Sequence, residues 1–123
     1  MKLKYVRLYA DEHGETHLKE EEFIMNNADY APPAPPLWVG PRSKATGTTV
    51  LAFPVGWFGD YHPVPRPQWM LIMSGAIEVE VSDGEKRTYP AGTITFLEDM
   101  NSKGHISRNA SNEVAVVMVT EVE

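Results

Sequence analysis

One short proline-rich stretch, residues 62–68, contains three side chains that could take part in binding or catalysis. His62 offers an imidazole that can act as acid, base or ligand, and Gln68 offers an amide. Every second residue of the stretch is proline, which removes the N–H donors from one edge and predicts a sheet edge or barrel rim. His62 and Gln68 share a face whether the local period is two or three. With period two, Arg66 joins them and is placed to hold a carboxylate bidentately; the alternative is a solvated charge at the rim.

The composition excludes several other kinds of chemistry. The 123 residues include no cysteine, so disulfides, thiolate metal sites and cysteine nucleophiles are absent. A net charge of −6 without a Lys/Arg cluster argues against nucleic acid as a partner. No apolar run is long enough to span a membrane, and the first residues lack a signal peptide's apolar segment. These features predict a cytoplasmic protein.

The elements that must position these side chains are predicted to be β-strands. Strand patterns recur every 8–12 residues, and helix patterns are nearly missing. Residues 76–81 alternate apolar and acidic side chains, and the following Asp83-Gly84 is typical of a hairpin turn. Residues 16–24 could suit a short helix but are interpreted as a strand with a charged outer face. The pattern therefore predicts an all-β sandwich or small barrel with little helix.

The whole chain, residues 1–123, is of a length typical of one domain. The tract Ala31-Pro32-Pro33-Ala34-Pro35-Pro36 is interpreted as a stiff, extended connector, with a ligand for a proline-recognising module as the alternative. Residues 114–119 are apolar on both strand faces. Because a barrel interior covers only one face, either the N-terminal strands or a second subunit must cover the other. We expect a homodimer.

Two groups of residues resemble the motifs of the cupins, a family of small β-barrels. In the first motif, Gly, His-x-His, Glu and a closing Gly are expected in that order. Here His62 matches the first histidine, Val64 replaces the second, Gln68 stands at the glutamate and Gly75 closes the motif. The second motif is matched by Pro90-Ala91-Gly92 and by the spacing of His105 and Asn109, the latter assigned a structural role. The resemblance implies an antiparallel β-barrel or jelly roll.

In cupins, the motif histidines and the glutamate bind one divalent metal inside the barrel. Carried over residue by residue, the resemblance implies His62, Gln68 and His105 as ligands of Zn, Fe, Mn or Ni. An amide in place of a carboxylate leaves the charge of the cation unbalanced. A nearby carboxylate or an anionic substrate would then be needed, and Glu98 and Asp99 are the candidates for that carboxylate and for a general base.

The resulting hypothesis is a cupin that binds a divalent metal and acts on a small organic molecule, as a dioxygenase, isomerase or cyclase would. Arg66 and Met70 are expected to contact the substrate in a pocket with His62, Gln68, Glu98 and His105. Trp38, Trp57 and Trp69 are assigned to core or subunit packing. The alternative is a metal-free cupin that binds a small molecule without catalysis, in which the histidines are ordinary polar residues with hydrogen-bond partners. His17 is an outer residue or a further member of the site.

Overall fold

Twelve β-strands form the regular structure of this chain, and no helix is present. The computed structural model describes residues 1–123, and it contains no helix that could cross a membrane. The all-β prediction is therefore confirmed. The strands are β1 Leu3–Ala10, β2 Thr16–Phe23, β3 Asn26–Ala28, β4 Leu37–Val39, β5 Ala45–Phe53, β6 Phe58–His62, β7 Gln68–Ser74, β8 Ala76–Val81, β9 Lys86–Pro90, β10 Ile94–Glu98, β11 His105–Asn109 and β12 Ala115–Val122.

Two sheets make the jelly roll. The larger has six strands in the order β2-β1-β10-β7-β12-β5, and the smaller has four in the order β6-β11-β8-β9. All pairs in these sheets are antiparallel except β1 with β10, which run parallel. A separate two-stranded hairpin joins β3 to β4. Because successive side chains point to opposite faces of a strand, every second side chain is buried between the two sheets. The resulting core comprises Leu8, Leu18, Val64, Ile72, Ile77, Val79, Val81, Tyr89, Leu97, Ala115, Val117 and Val119.

The proline-rich stretch crosses between the two sheets at one end of the barrel. His62 ends β6 in the four-stranded sheet, and Gln68 begins β7 in the six-stranded sheet. His62 pairs in register with His105, the first residue of β11. Because the crossing segment is rich in proline, it needs few backbone partners and suits a rim. The topology thus brings three candidate site residues to one end of the molecule.

Two glycines allow close approaches between neighbouring segments of the backbone. Gly104 adopts φ +77°, and a Cβ there would collide with the carbonyl carbon of His62. Gly75 adopts φ +73°, and a Cβ there would lie 2.8 Å from Cα of Ala115. Both positions therefore favour glycine for conformation and for space. Gly104 in particular lets the start of β11 lie against the end of β6.

The tract 31–36 is a turn and not the extended connector that its prolines suggested. It joins β3 to β4, its Pro32–Pro33 peptide bond is cis, and Ala34 N–H donates to Ala31 C=O at 3.0 Å. The backbone bond within the tract closes a turn, so the chain reverses and the flanking strands pair. Residues 16–23 form strand β2, as interpreted from the sequence.

The outer face of the six-stranded sheet carries an aromatic cluster. The Trp69 ring lies 5.0 Å from Tyr5 and 4.6 Å from Phe96, measured between centroids. Beside it, Leu71 and Met73 of the same strand are 40% and 51% exposed. β1 and β2 extend this sheet at its edge and do not cover it. An apolar face of this kind favours contact with another protein surface.

We predict that two copies of the chain associate through this outer face. Light scattering at micromolar concentration is expected to return about twice the 13.8 kDa of one chain. Leu71→Glu combined with Met73→Lys places charges in the contact and is expected to give monomers. Val55→Lys, at an apolar residue that is 60% exposed in the β5–β6 turn, is the control and should leave the mass unchanged. A monomeric wild-type chain would contradict the prediction.

His17 is an outer residue that ties two turns together. Its Nε2 and Nδ1 atoms lie 2.8 Å from carboxylate oxygens of Asp11 and Asp83, and its ring lies 5.4 Å from that of Tyr9. A carboxylate only accepts hydrogen bonds, so both bonds form together only when the imidazole is protonated. The hydrogen bond to Asp11 raises the pKa of His17 most, and the bond to Asp83 raises it further. The same bond to His17 lowers the pKa of Asp11.

From the bonds of His17 to Asp11 and Asp83 we predict how the stability of the protein depends on pH. A raised histidine pKa contributes stability that is complete below about pH 6.5 and is lost as the pH rises through the folded-state value. The lowered Asp11 pKa contributes stability that is lost only in acid, as the pH falls through its folded-state value. Urea denaturation should therefore show a loss of stability as the pH rises above about 6.5, and this loss should be smaller in His17→Gln. His13→Gln, at a side chain that is 81% exposed, should titrate like the wild type.

Candidate functional site

A buried hydrogen bond to a carboxylate fixes the orientation of His105. Asp99 is fully buried, and its Oδ2 lies 2.7 Å from Nδ1 of His105, which is 3% exposed. The other carboxylate oxygen accepts from the backbone N–H of Val64 at 3.1 Å. Because the carboxylate accepts, the Nδ1 atom of His105 carries the proton and donates it. In the neutral ring, Nε2 therefore presents a lone pair.

His62 is oriented in the same way by the backbone. Its Nδ1 lies 2.6 Å from the carbonyl oxygen of Asp60, which also can only accept. The ring centroids of His62 and His105 are 4.6 Å apart, with their planes at 53°. Two imidazoles, each with Nδ1 bound to an acceptor and Nε2 left as the lone-pair nitrogen, thus lie side by side. This is the pattern by which proteins orient histidine ligands.

Both rings line a cavity of about 210 Å³ between the sheets. The remaining wall is largely apolar, with one amide and one hydroxyl. The lining residues are Leu51, Phe53, Trp57, His62, Val64, Pro65, Gln68, Met70, Leu97, His105 and Ser107. A cavity of this size can enclose a small organic molecule of about one ring.

The structure brings together four of the side chains selected from the sequence. His62, Gln68, Met70 and His105 all line the cavity. Asp99 lies behind His105, where its two oxygens are bound to Nδ1 and to a backbone N–H, so it positions a ring and does not itself face the cavity.

Two expected members of the pocket lie elsewhere, which corrects the placement inferred from the sequence. Arg66 points outward, is 65% exposed and binds the carboxylate of Glu121 at 3.3 Å. The stretch therefore does not continue the period of two that put Arg66 beside His62. Glu98 follows the inward-facing Leu97 on β10, so it lies on the outer face and pairs with Arg7. Neither side chain lines the cavity.

Seven of the eleven lining residues were not among the predicted site residues, and Ser107, Trp57 and Phe53 are the most informative of them. Ser107 lies two residues after His105, so the strand period alone could have placed it on the same face. Trp57 was assigned to core or subunit packing, yet it lines the cavity and packs edge-on against Phe53 at 4.7 Å. No local pattern marks Trp57 as a lining residue, because it lies in the turn between β5, which ends at Phe53, and β6.

The donor set fits a divalent cation of borderline character. Two imidazole nitrogens and the Gln68 amide oxygen suit such a cation and leave coordination positions for water or a ligand. The set contains no carboxylate, and no group of three or more His, Asp or Glu side chains is placed to hold one cation. A cation at this place would keep its full double charge. The chemistry of the site therefore favours an oxygen anion as the additional ligand.

We predict that Asp99 controls which nitrogen of His105 carries the proton. In Asp99→Asn the amide can accept from Val64 N–H only by turning its NH₂ group toward Nδ1, which moves the imidazole proton to Nε2. Nitrogen-15 NMR of the ring should report that change, and unfolding should become easier by about 1–3 kcal/mol. Asp29→Asn, at an exposed carboxylate, is the control. An unchanged tautomer would show that Asp99 does not position the ring.

Comparison with known proteins identifies the fold of this chain. No family model and no curated protein matches the sequence. The Cnp3 cupin domain of Schizosaccharomyces pombe aligns over 99% of this chain and 84% of its own, with a TM-score of 0.50 and 12% identity. A conserved protein of unknown function from Streptococcus pyogenes aligns over 67% of this chain and 68% of its own (TM-score 0.48, 18% identity). The CENP-C cupin domain of Drosophila melanogaster aligns over 80% and 74% (TM-score 0.45, 15% identity). The alignment with the Cnp3 domain, together with the two-sheet jelly roll, shows that this chain has the cupin fold.

Proposed function

We propose that the cavity binds a divalent metal through His62, Gln68 and His105 and holds a small organic molecule beside it. The observation that carries this proposal is the pair of imidazoles 4.6 Å apart, each with its Nδ1 bound to an acceptor. Asp60 C=O and the Asp99 carboxylate accept hydrogen bonds from the two Nδ1 atoms, so each ring in its neutral form presents its Nε2 lone pair.

Different groups of the chain would then contact the two ends of the ligand. When bound, the metal would polarise a carbonyl or stabilise an enolate as a Lewis acid. Trp57, Phe53 and Leu97 supply apolar walls that would exclude water from an apolar part of the ligand. Because Gln68 is neutral, a ligand with an anionic or carbonyl oxygen near the histidines would be preferred.

The lining also limits which proton transfers the site can support. Asp99 is bound at both oxygens, and Glu98 lies outside the cavity. No carboxylate that lines the cavity remains to act as a general base. Binding of the metal and the organic ligand is therefore the proposed function, and an isomerase-, cyclase- or dioxygenase-like reaction would have to take its base from the ligand or from metal-bound water.

The second candidate is a metal-free cavity that binds a small molecule without catalysis. The observation that favours it is the neutral, largely apolar lining, in which no carboxylate is present. In that case His62, His105 and Gln68 would serve as hydrogen-bond partners for a polar end of the ligand.

One substitution separates the two candidates. Gln68→Glu would add a carboxylate of the same reach to the proposed ligand set and partly neutralise the cation, so metal affinity should rise about tenfold or more. A tenfold gain corresponds to about 1.4 kcal/mol and to a further rise in melting temperature of about 4 °C at a fixed excess of metal. Without a metal, the same carboxylate would be desolvated beside two imidazoles, and the variant should be less stable than the wild type. Thermal melts with and without Zn²⁺, Mn²⁺ or Ni²⁺ measure both effects.

Three further variants control for charge and for the ligands. Asn112→Asp adds the same charge at an exposed turn and should show the wild-type response to metal. His105→Ala should abolish the response, and His62→Ala provides the same test at a less buried ring. Absence of any metal-induced shift in both the wild type and Gln68→Glu would refute the metal site and leave the metal-free candidate.

A further inference from the structure

The interior of the barrel contains a buried hydroxyl without a partner. Tyr89 lies on β9, is only 5% exposed, and its OH group makes no hydrogen bond. A hydroxyl left unpaired in the interior is destabilising, and phenylalanine would fill the same space without that cost. The hydroxyl therefore calls for a partner that is not part of the folded chain.

A small chamber adjoins this tyrosine and the cavity that holds the two histidines. It has a volume of about 20 Å³, enough for one water-sized group, and seven of its nine lining residues are hydrophobic. The chamber is lined by Leu8, Phe53, Met70, Ile77, Val79, Tyr89, Thr95, Leu97 and Ser107. Four of these residues, Phe53, Met70, Leu97 and Ser107, also line the larger cavity.

The shared wall can open at one residue. Met70 has an unbranched side chain with several rotatable bonds, so it can change conformation at less cost than Phe53 or Leu97 beside it. Ser107 adds a hydroxyl at the boundary. An apolar ligand lying in the larger cavity would therefore meet Met70 at its inner end and could reach the chamber by displacing it.

We propose that the chamber is an inner subsite, in which the Tyr89 hydroxyl donates a hydrogen bond to a neutral oxygen at the inner end of the ligand. This inference rests on the proposed function, because the body of the ligand lies in the cavity beside the histidines. The ligand class that fits is a single-ring or short-chain molecule with polar groups at both ends. Its outer end faces His62, Gln68 and His105, and its inner end carries a carbonyl, ether or hydroxyl oxygen.

The residues that line the chamber favour a neutral oxygen at the inner end of the ligand. Burial raises the pKa of Tyr89, so its hydroxyl keeps its proton and remains a donor. Of the residues that line the chamber, none carries a cation, and the only other polar groups are the hydroxyls of Thr95 and Ser107. A carboxylate would lose its hydration there without a compensating charge, whereas a carbonyl oxygen needs only one or two donors.

A pair of nearly isosteric probes tests the subsite. Acetophenone carries a carbonyl oxygen where isopropylbenzene carries a methyl group, so they differ chiefly in the ability to accept a hydrogen bond. Titrations followed by protein NMR should show that the wild type binds acetophenone about 3- to 10-fold more tightly than isopropylbenzene. Tyr89→Phe should abolish that preference, and Tyr30→Phe, at a tyrosine that is 71% exposed, should keep it.

The outcomes distinguish this inference from the proposed function. Equal affinity for the two probes, or a preference that survives in Tyr89→Phe, would overturn the inner subsite. Binding of neither probe, with the metal response of the wild type intact, would also overturn it and leave the metal site standing. Without any probe, Tyr89→Phe should be at least as resistant to urea as the wild type. A loss of stability would show that the hydroxyl already has a structural partner, such as a buried water, and would overturn the proposal.

Discussion

The buried carboxylate of Asp99 is the interaction on which the geometry of the site depends. It directly follows β10 of the six-stranded sheet. It binds His105 of the four-stranded sheet and the backbone of Val64 in the crossing segment. A fully buried carboxylate is costly unless both oxygens are satisfied, and here they are. One side chain thus holds together three parts of the chain that meet at the open end of the barrel.

The cavity behind this contact combines two environments. Its outer end presents two imidazole nitrogens and an amide, and its inner part is enclosed by aromatic and aliphatic side chains. Such a division orients a ligand, because the polar end is held by directional bonds and the apolar end by exclusion of water. The neutral amide of Gln68 and the engagement of Asp99 with His105 leave any positive charge at the outer end for the ligand to balance.

The outer face of the six-stranded sheet is constrained by its exposed apolar side chains. The six-stranded sheet is apolar on both faces, since Ile72 and Val117 point to the core while Leu71 and Met73 point outward. The N-terminal strands widen this sheet and leave its outer face uncovered. The elements that build the cavity therefore also present the surface most suited to a second copy of the chain.

The sequence by itself determined the class of fold and the positions of the main turns. Strand alternation and Asp83-Gly84, where Gly84 adopts φ +99°, follow from local rules of side-chain period and backbone conformation. The same rules put His62 and Gln68 on one face. Only the tertiary structure decided that Arg66 points outward, that Asp99 supports His105, that Trp57 lines the cavity and that the Tyr89 hydroxyl has no partner. These outcomes depend on which strands face each other across the barrel, and periodicity along one strand carries no information about the residue opposite.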